Sequence, residues 1–445
     1  MTDSNRPQLR MGTAGSRRIS SNRRRFLKAT AGVGAGVSLT GCLGQYQVLG
    51  GNSDEETVKI GVLAPNPNSN RMGRSMVQAA ELAVTHLNEE GGILGREVEL
   101  VVGNTKESPL EARRQYQRLI LEEGVDATTG VFSSEALLSI IDDVAEQETL
   151  HLTSAAATSE VSRMVRDDYE RYKYHFRIGP NNDIDLGRIQ MDFLTEMYED
   201  LGWNSIALLA EDYDWTEKPW EVYQDRLADT DIDVVYEERY PAASNDFTEQ
   251  YNQAEEADAD AVFITTAHTG TPALMDWKLP AKRSFGFGGV HVPMQLPAYY
   301  DLVGGQCRYA VTQTSSTAKT SITENTQEFV TAYQDEYGGQ NPIYTGYHTY
   351  DGVRAIAYAA EESNSLDSDD MVGALENASH PGYAATVEFY DNDSETPHDL
   401  VYNYGETVYF QWQENEDGEG VQEAIWPPDK KTGDYVTPPW LETEA

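Results

Sequence analysis

The chain has 445 residues, a formal charge of −41 at neutral pH, and two cysteines. Its length allows two or three domains, and a hydrophobic fraction of 39% is typical of a globular protein. A surface with so large an excess of carboxylates repels DNA, RNA and anionic lipid, so we expect no nucleic-acid partner. Self-repulsion of this size is best tolerated where salt screens it, which indicates a halophilic source.

The N-terminal segment has the opposite charge. Residues 1–41 contain eight of the 33 lysines and arginines. Within this segment the stretch NRRRFLK at residues 22–28 resembles the twin-arginine export signal, and a short apolar run follows it. The run ends in the sequence LTGC, which resembles a lipobox with Cys42 as the lipidated residue. We therefore predict a signal peptide over residues 1–41 and a flexible tether over residues 42–57, with the lipid as the only membrane contact.

The chain has no sequence pattern for a metal or a disulfide framework. If Cys42 is lipidated, Cys307 is left alone, and we expect it to be a buried small hydrophobic residue. No CxxC or Cys/His cluster is present, so we predict no structural zinc and no cofactor.

From Val58 onward, short apolar runs alternate with amphipathic helical segments. Nearly continuous apolar runs such as VKIGVLA are typical of parallel strands that are buried on both faces. The alternation occurs once over residues 58–179 and again over residues 180–311. This repetition predicts an α/β fold with two doubly wound lobes and right-handed crossovers.

The stretch from Asp126 to Glu160 contains two polar turns that follow neighbouring strands. Ser133 or Ser134 stands at the N-cap position of an amphipathic helix, and Glu135 lies in its first turn. After the next strand comes the small-residue run SAAATS. Because parallel strands bring both turns to one edge of the sheet, we expect a ligand site there.

At this point the chain resembles the type I periplasmic binding proteins of ABC importers, in the branched-chain amino acid, amide and urea group. The resemblance extends from Val58 to Trp412 and rests on six segments in the family's order: IGVLAP, HLNEEGGILGREVELVVGNT, GVFSS, TSAAAT, FRIGPNNDIDLG and SIALLAEDYDW. It implies two Rossmann-like lobes joined by a multi-strand hinge, which close on a small solute. A permease with ATPase subunits then takes the solute, and the acidic chain with its lipobox looks like a haloarchaeal-type lipoprotein.

The resemblance implies a domain division and an oligomeric state. Lobe 1 comprises residues 58–179 and 312–385, and lobe 2 comprises residues 180–311 and 386–425. A C-terminal tail covers residues 426–445. We expect a monomer on the extracellular face of the cell membrane.

Family positions also indicate binding residues. The first-lobe serine that holds the ligand carboxylate matches Ser134, with Ser133 as the neighbouring candidate, and the second turn matches Ala155 with Ala157 or Thr158. In the second lobe, the covering aromatic residue matches Trp215, after Asp212 and Tyr213, and a closing residue falls at Ala267 or His268.

Two departures from the family pattern concern the ligand. Amino-acid binders have a glutamate for the ammonium group after the strand that reads FGFGG here, but Val290 and His291 occupy that place. Asp212 or Asp214 is a possible substitute. Arg71 stands where a small or aromatic residue is usual, which indicates an additional anionic group on the ligand.

Two other function classes remain open. The first is a ligand-sensing protein of the same fold that acts with a signalling partner instead of a permease. The second is an extracellular enzyme, for which Ser133 or Ser134 with His151 and Asp142 could form a hydrolase triad. The GxSxG elbow is missing and a serine at a helix cap is common, so we disfavour catalysis.

Overall fold

The computed structural model describes residues 57–403 and 406–441. The predicted export signal and Cys42 lie outside these residues. The described part contains two parallel sheets with helices on their faces, which confirms the predicted α/β fold.

The first sheet has five parallel strands in the order β2-β1-β3-β4-β5. They are β1 (Val58–Ala64), β2 (Val98–Asn104), β3 (Ala127–Gly130), β4 (His151–Thr153) and β5 (His175–Arg177). The helices between them are α1 (Arg71–Glu89), α2 (Pro109–Arg118), α3 (Ser134–Gln147), α4 (Glu160–Asp167) and α5 (Tyr169–Tyr172). Buried aliphatic residues of these strands and helices form one continuous core.

The second sheet has four parallel strands in the order β7-β6-β8-β9. They are β6 (Ser205–Asp212), β7 (Asp233–Pro241), β8 (Ala261–Thr266) and β9 (Gly286–His291). The helices around them are α6 (Asp183–Leu201), α7 (Glu217–Arg226), α8 (Thr248–Glu256), α9 (Gly270–Lys278) and α10 (Tyr299–Leu302). Separate apolar clusters cover the two faces of this sheet.

The last part of the described chain contributes to both lobes. Helices α11 (Thr326–Glu336), α12 (Tyr344–Ser363) and α13 (Ser368–Leu375) and the hairpin β11 (Ser379–Pro381) with β12 (Thr386–Glu388) follow β10 (Val311–Thr314). Strands β13 (Val408–Glu414) and β14 (Gly420–Trp426) then form an antiparallel sheet with β10. The sequence did not predict β14, because apolar and polar residues alternate only weakly along it.

One predicted lobe boundary does not follow the packing. Val387, Phe389 and Leu400 lie in the core around the first sheet, although residues 386–425 were assigned to the second lobe. Tyr409 and Phe410 pack in the clusters of the second sheet. The chain therefore returns to the second lobe after Leu400, and the remaining boundaries stay predictions.

Candidate ligand-binding cleft

A cavity of about 370 Å³ lies between the two lobes, where loops at the carboxyl ends of the strands meet. This is the edge at which open α/β sheets bind ligands. Its wall is mostly apolar and aromatic, a common property of small-molecule sites. The residues used below that line it are Asn70, Glu107, Phe132, Ser133, Ser134, Glu135, Ala155, Ala157, Tyr213, Trp215, Ala267, His268, Gln295 and Tyr344.

The N-terminus of α3 forms one wall. Ser133 is the N-cap residue, and its Oγ accepts a hydrogen bond from the N–H of Ala136 at 3.3 Å. Gly130 allows the turn that precedes it, because φ is +112° and a Cβ there would lie 2.3 Å from the carbonyl oxygen of Leu63. Ser134, the first residue of α3, is buried and lines the cavity. The start of this helix therefore offers hydroxyl and N–H donors to an anionic group.

Three carbonyl groups of the second turn, residues 155–158, are engaged in hydrogen bonds within the protein. The Arg177 guanidinium donates to the carbonyl oxygens of Ala156 and Thr158. The N–H of Asp183 donates to the carbonyl oxygen of Ala157 at 2.8 Å. Because a trans peptide places N–H and C=O on opposite sides, the N–H of Ala157 points away from Arg177. Ala157 itself lines the cavity, so its N–H is a candidate donor to a ligand there.

Glu211 organises the wall on the second lobe. Its buried carboxylate lies 2.9 Å from Nδ1 of His268 and accepts hydrogen bonds from Nε1 of Trp215 at 3.0 Å and Oγ1 of Thr266 at 3.1 Å. The Tyr213 ring is 4.6 Å from the imidazole of His268. Glu211 thus fixes the aromatic and imidazole rings that face the cavity.

The same network shifts the pKa values of its members. Burial alone raises the pKa of Glu211, but hydrogen bonds from His268 and from backbone N–H groups outweigh it, and the net shift is downward. The hydrogen bond to Glu211 raises the pKa of His268 against the effect of partial burial. Burial and the carboxylate of Glu135, which reaches across from the first lobe, raise the pKa of Tyr213.

Two carboxylates of the described part of the chain line the cavity. Glu135 is half-buried beside Tyr213, and Glu107 lies at the rim, where Nδ2 of Asn70 donates to its carboxylate at 2.7 Å. Among the described residues that line the cavity there is no lysine or arginine. A cationic or zwitterionic group is therefore better accommodated than a ligand that carries only negative charge.

The structure brings together eight of the residues predicted from the sequence: Ser133, Ser134, Ala155, Ala157, Tyr213, Trp215, Ala267 and His268. Their roles in binding stay predictions. Four others do not line this cavity. The Oγ1 of Thr158 accepts from the N–H of Glu160 at 3.3 Å, and the exposed Asp212 pairs with Arg239 at 3.2 Å.

His291 and Arg71 are the other two predicted residues that do not line the cavity. His291 is buried in β9, where its Nδ1 accepts from the N–H of Met294 and burial lowers its pKa to about 4. His291 stands where the family resemblance implies a glutamate, and its role in binding stays a prediction. Arg71 is exposed at the start of α1 and lines a neighbouring cavity.

Sequence reasoning missed Glu211, Glu107, Phe132, Gln295 and Tyr344. Glu211 lies one position before Asp212 on β6, and side chains alternate between the two faces of a strand. Phe132 lies in a loop, Gln295 ends a short 3-10 helix after β9, and Tyr344 begins α12, and their apolar surroundings look like ordinary core. No pattern within one segment distinguishes them.

The structure does not assemble the hydrolase triad. His151 is buried in β4 with Nδ1 2.8 Å from Oγ1 of Thr128, whereas the carboxylate of Asp142 pairs with Arg171 at 2.7 Å. Among the described residues, no group of three His, Cys, Asp or Glu side chains is arranged to hold a metal ion. Within the same residues, none of the helices has both the length and the apolar character of a membrane span.

The profile of the family described as Periplasmic binding protein matches residues 57–402. The chain therefore belongs to the periplasmic binding protein family. Leu/Ile/Val-binding protein homolog 8 of Brucella melitensis is 26% identical over 353 residues, which cover 76% of this chain and 85% of that protein.

Solved structures share the fold. A solute-binding protein of an ABC transporter from Rhodopseudomonas palustris, in complex with 3,4-dihydroxybenzoic acid, has a TM-score of 0.69 and 21% identity, and covers 86% of this chain and 99% of its own. The branched-chain amino acid transporter substrate-binding protein of Streptococcus pneumoniae, in complex with isoleucine, has a TM-score of 0.67 and 17% identity, and covers 84% of this chain and 100% of its own. The predicted resemblance to type I binding proteins of the branched-chain amino acid group is confirmed.

Proposed function

We propose that this protein captures an α-amino acid with an apolar or aromatic side chain and delivers it to an ABC importer. The observation that supports this most directly is the distribution of charge in the cleft. Donors at the start of α3 and at Ala157 suit a carboxylate, while Glu135 and Glu107 suit an ammonium group beside it. The aromatic wall formed by Phe132, Trp215 and Tyr344 suits an apolar side chain.

Closure of the lobes follows from the position of the cleft. A solute that contacts both walls binds the closed arrangement more tightly than the open one, and this difference supplies the free energy of closure. Permease and ATPase subunits then release and transport the solute. We further propose that Cys42 is lipidated after twin-arginine export, so that the protein acts at the extracellular face of a halophile's membrane as a monomer.

The test is isothermal titration in concentrated potassium chloride with four matched solutes. Leucine and phenylalanine carry both charges, 4-methylpentanoate is leucine without the ammonium group, and 3,4-dihydroxybenzoate is an aromatic acid. We expect saturable binding of an amino acid and at least about tenfold weaker binding of 4-methylpentanoate. Equal or tighter binding of either acid without an ammonium group would overturn the amino-acid assignment.

Two alternatives have separate tests. A ligand-sensing role predicts that the gene lies beside a signalling gene, whereas import predicts neighbouring permease and ATPase genes. An enzymatic role predicts that a bound solute is chemically converted on incubation with the purified protein. Recovery of the unchanged solute contradicts catalysis.

A further inference from the structure

A second cavity, of about 450 Å³, lies next to the ligand-binding cleft. Its lining comes from the first part of α1, from Tyr333 on α11, from the loop after β9 and from the segment before α12, and therefore from both lobes. The residues are Arg71, Arg74, Ser75, Gln78, Leu296, Pro297, Ala298, Tyr333, Gln340, Asn341 and Ile343. We call it the arginine cavity.

A thin apolar wall separates the arginine cavity from the cleft. On three of the lining segments, adjacent residues line different cavities: Asn70 and Arg71, Gln295 and Leu296, and Tyr344 and Ile343. The wall is a cluster of Met72, Ile343 and Tyr344 with Phe132, Val292 and Leu296, to which both lobes contribute. Separation of the lobes would therefore open both cavities at once.

The charge of the arginine cavity is the reverse of the protein's overall charge. Two guanidinium groups line it, and no carboxylate of the described chain does. Nη2 of Arg74 donates to the carbonyl oxygen of Asn68 at 2.9 Å, and neither arginine forms an ion pair within the described residues. Arginines elsewhere, such as Arg113 and Arg354, pair with nearby carboxylates.

In a chain of charge −41, two unpaired guanidinium groups in one cavity are an arrangement that requires explanation. Arginine binds planar oxyanions through two parallel hydrogen bonds, and amide groups such as those of Gln78 and Gln340 add further donors. The negative charge of the protein as a whole repels anions, so an anion that binds here needs direct contact with both arginines.

We propose that the arginine cavity binds a small oxyanion with two negative charges, either a dicarboxylate or phosphate. Because both lobes line the cavity, the bound anion stabilises their closed arrangement and strengthens binding in the neighbouring cleft. This second part rests on the proposed function. Arg71 accordingly belongs to an effector site. Its position in the sequence had indicated instead that it contacts the principal ligand.

The site itself is tested without any solute in the cleft. The melting temperature of the wild type is measured against malonate and, separately, against phosphate, at constant ionic strength in concentrated potassium chloride. The double variant Arg71→Gln, Arg74→Gln removes both guanidinium groups. Arg114→Gln is the control, since it removes one exposed arginine of α2 that pairs with Glu111 and does not line the cavity.

We expect a saturable rise in melting temperature for the wild type and the control, and at least about tenfold weaker anion binding by the double variant. A response to malonate alone identifies a dicarboxylate, a response to phosphate alone identifies phosphate, and a response to both identifies a general oxyanion site. An unsaturable response in the wild type, or an equal response in the double variant, would overturn the proposal.

Coupling is tested with the amino acid that binds the cleft. We expect its affinity for the wild type to rise with the anion present and to be unaffected by the anion in the double variant. If the anion binds but affinity is unchanged, the coupling is wrong. If no amino acid binds, the cleft assignment is wrong, while the melting experiment still decides the anion site.

Discussion

Arg177 and Asp399 form an ion pair in which both side chains are fully buried, with Nε of Arg177 3.0 Å from Oδ1 of Asp399. The same guanidinium holds the carbonyl groups of the turn at residues 155–158. Asp399 also accepts hydrogen bonds from Oγ of Ser162 at 2.6 Å and Nδ2 of Asn182 at 3.0 Å. Asn182 caps α6, the first helix of the second lobe. The pair therefore connects a wall of the cleft to the point where the chain crosses between lobes.

Loss of this pair should affect stability and binding together. We expect Arg177→Met to lower the free energy of unfolding by about 3–5 kcal/mol, because Asp399 is left buried without its cation. The released carbonyl groups also allow the turn to reorient, so solute affinity should fall. Denaturant unfolding and titration calorimetry measure the two effects.

A surface pair provides the control for this variant. Arg171 and Asp142 form an exposed ion pair, so Arg171→Met should cost no more than about 1 kcal/mol. The double variant Arg177→Met, Asp399→Leu should be less destabilised than the sum of its single variants. Additive costs would contradict direct coupling between the two charges.

Ser133 and Ser134 should respond differently to replacement by alanine. Ser133→Ala removes the N-cap hydrogen bond of α3 and should cost about 1 kcal/mol of stability as well as affinity. Ser134→Ala has no cap to lose, so we expect weaker binding, by about 1–3 kcal/mol if it donates to a carboxylate, with little change in stability. Unchanged affinity in both variants would contradict the anion wall.

Glu135 should select for an ammonium group. We expect Glu135→Gln to weaken the binding of the amino acid by about 1–3 kcal/mol, since the variant loses a charged hydrogen-bond acceptor. Binding of the deaminated analogue should be unchanged or stronger. Glu146→Gln, on the exposed surface of the same helix, is the control with equal charge change. Equal losses for both solutes would exclude this role for Glu135.

The Glu211–His268 pair should make stability depend on pH. The folded pKa of His268 is raised, so its contribution is complete below the unfolded histidine value and is lost as pH rises through the folded value. The folded pKa of Glu211 is lowered, so its contribution is complete above the unfolded glutamate value and is lost as pH falls through the folded value.

The measurement for this pair is the melting temperature of wild type and His268→Gln across the pH range. We expect the difference between them to be largest in the mildly acidic range, where both groups are charged, and to shrink on the alkaline side. His380→Gln, outside the cleft lining, should show no such dependence. A difference that is constant with pH would mean that the imidazole acts only by packing.

The excess of carboxylates should make the stability of the folded state depend on salt concentration. With 74 acidic and 33 basic residues, repulsion grows as screening weakens. We expect the free energy of unfolding to fall on dilution from molar salt to about 0.1 M, where the screening length approaches about 10 Å. Stability that does not change on dilution would contradict a halophilic adaptation.

The sequence alone predicted the alternation of strands and helices, a helix cap at Ser133 or Ser134, and the polar turn at residues 155–158. These features depend on neighbours in the chain, through apolar periodicity and local hydrogen bonds, so one segment at a time is sufficient. The family order of six segments then indicated the two lobes and the location of the cleft.

Only the tertiary structure decided which acid faces inward and which cavity each side chain lines. Glu211 and Asp212 are adjacent acids on one strand, and the packing of Trp215, Thr266 and His268 around one of them determines the choice. Arg71 likewise lines the arginine cavity and not the cleft, because the apolar cluster that contains Met72 and Ile343 lies between the two cavities. Such assignments depend on contacts between segments distant in sequence, which local patterns do not encode.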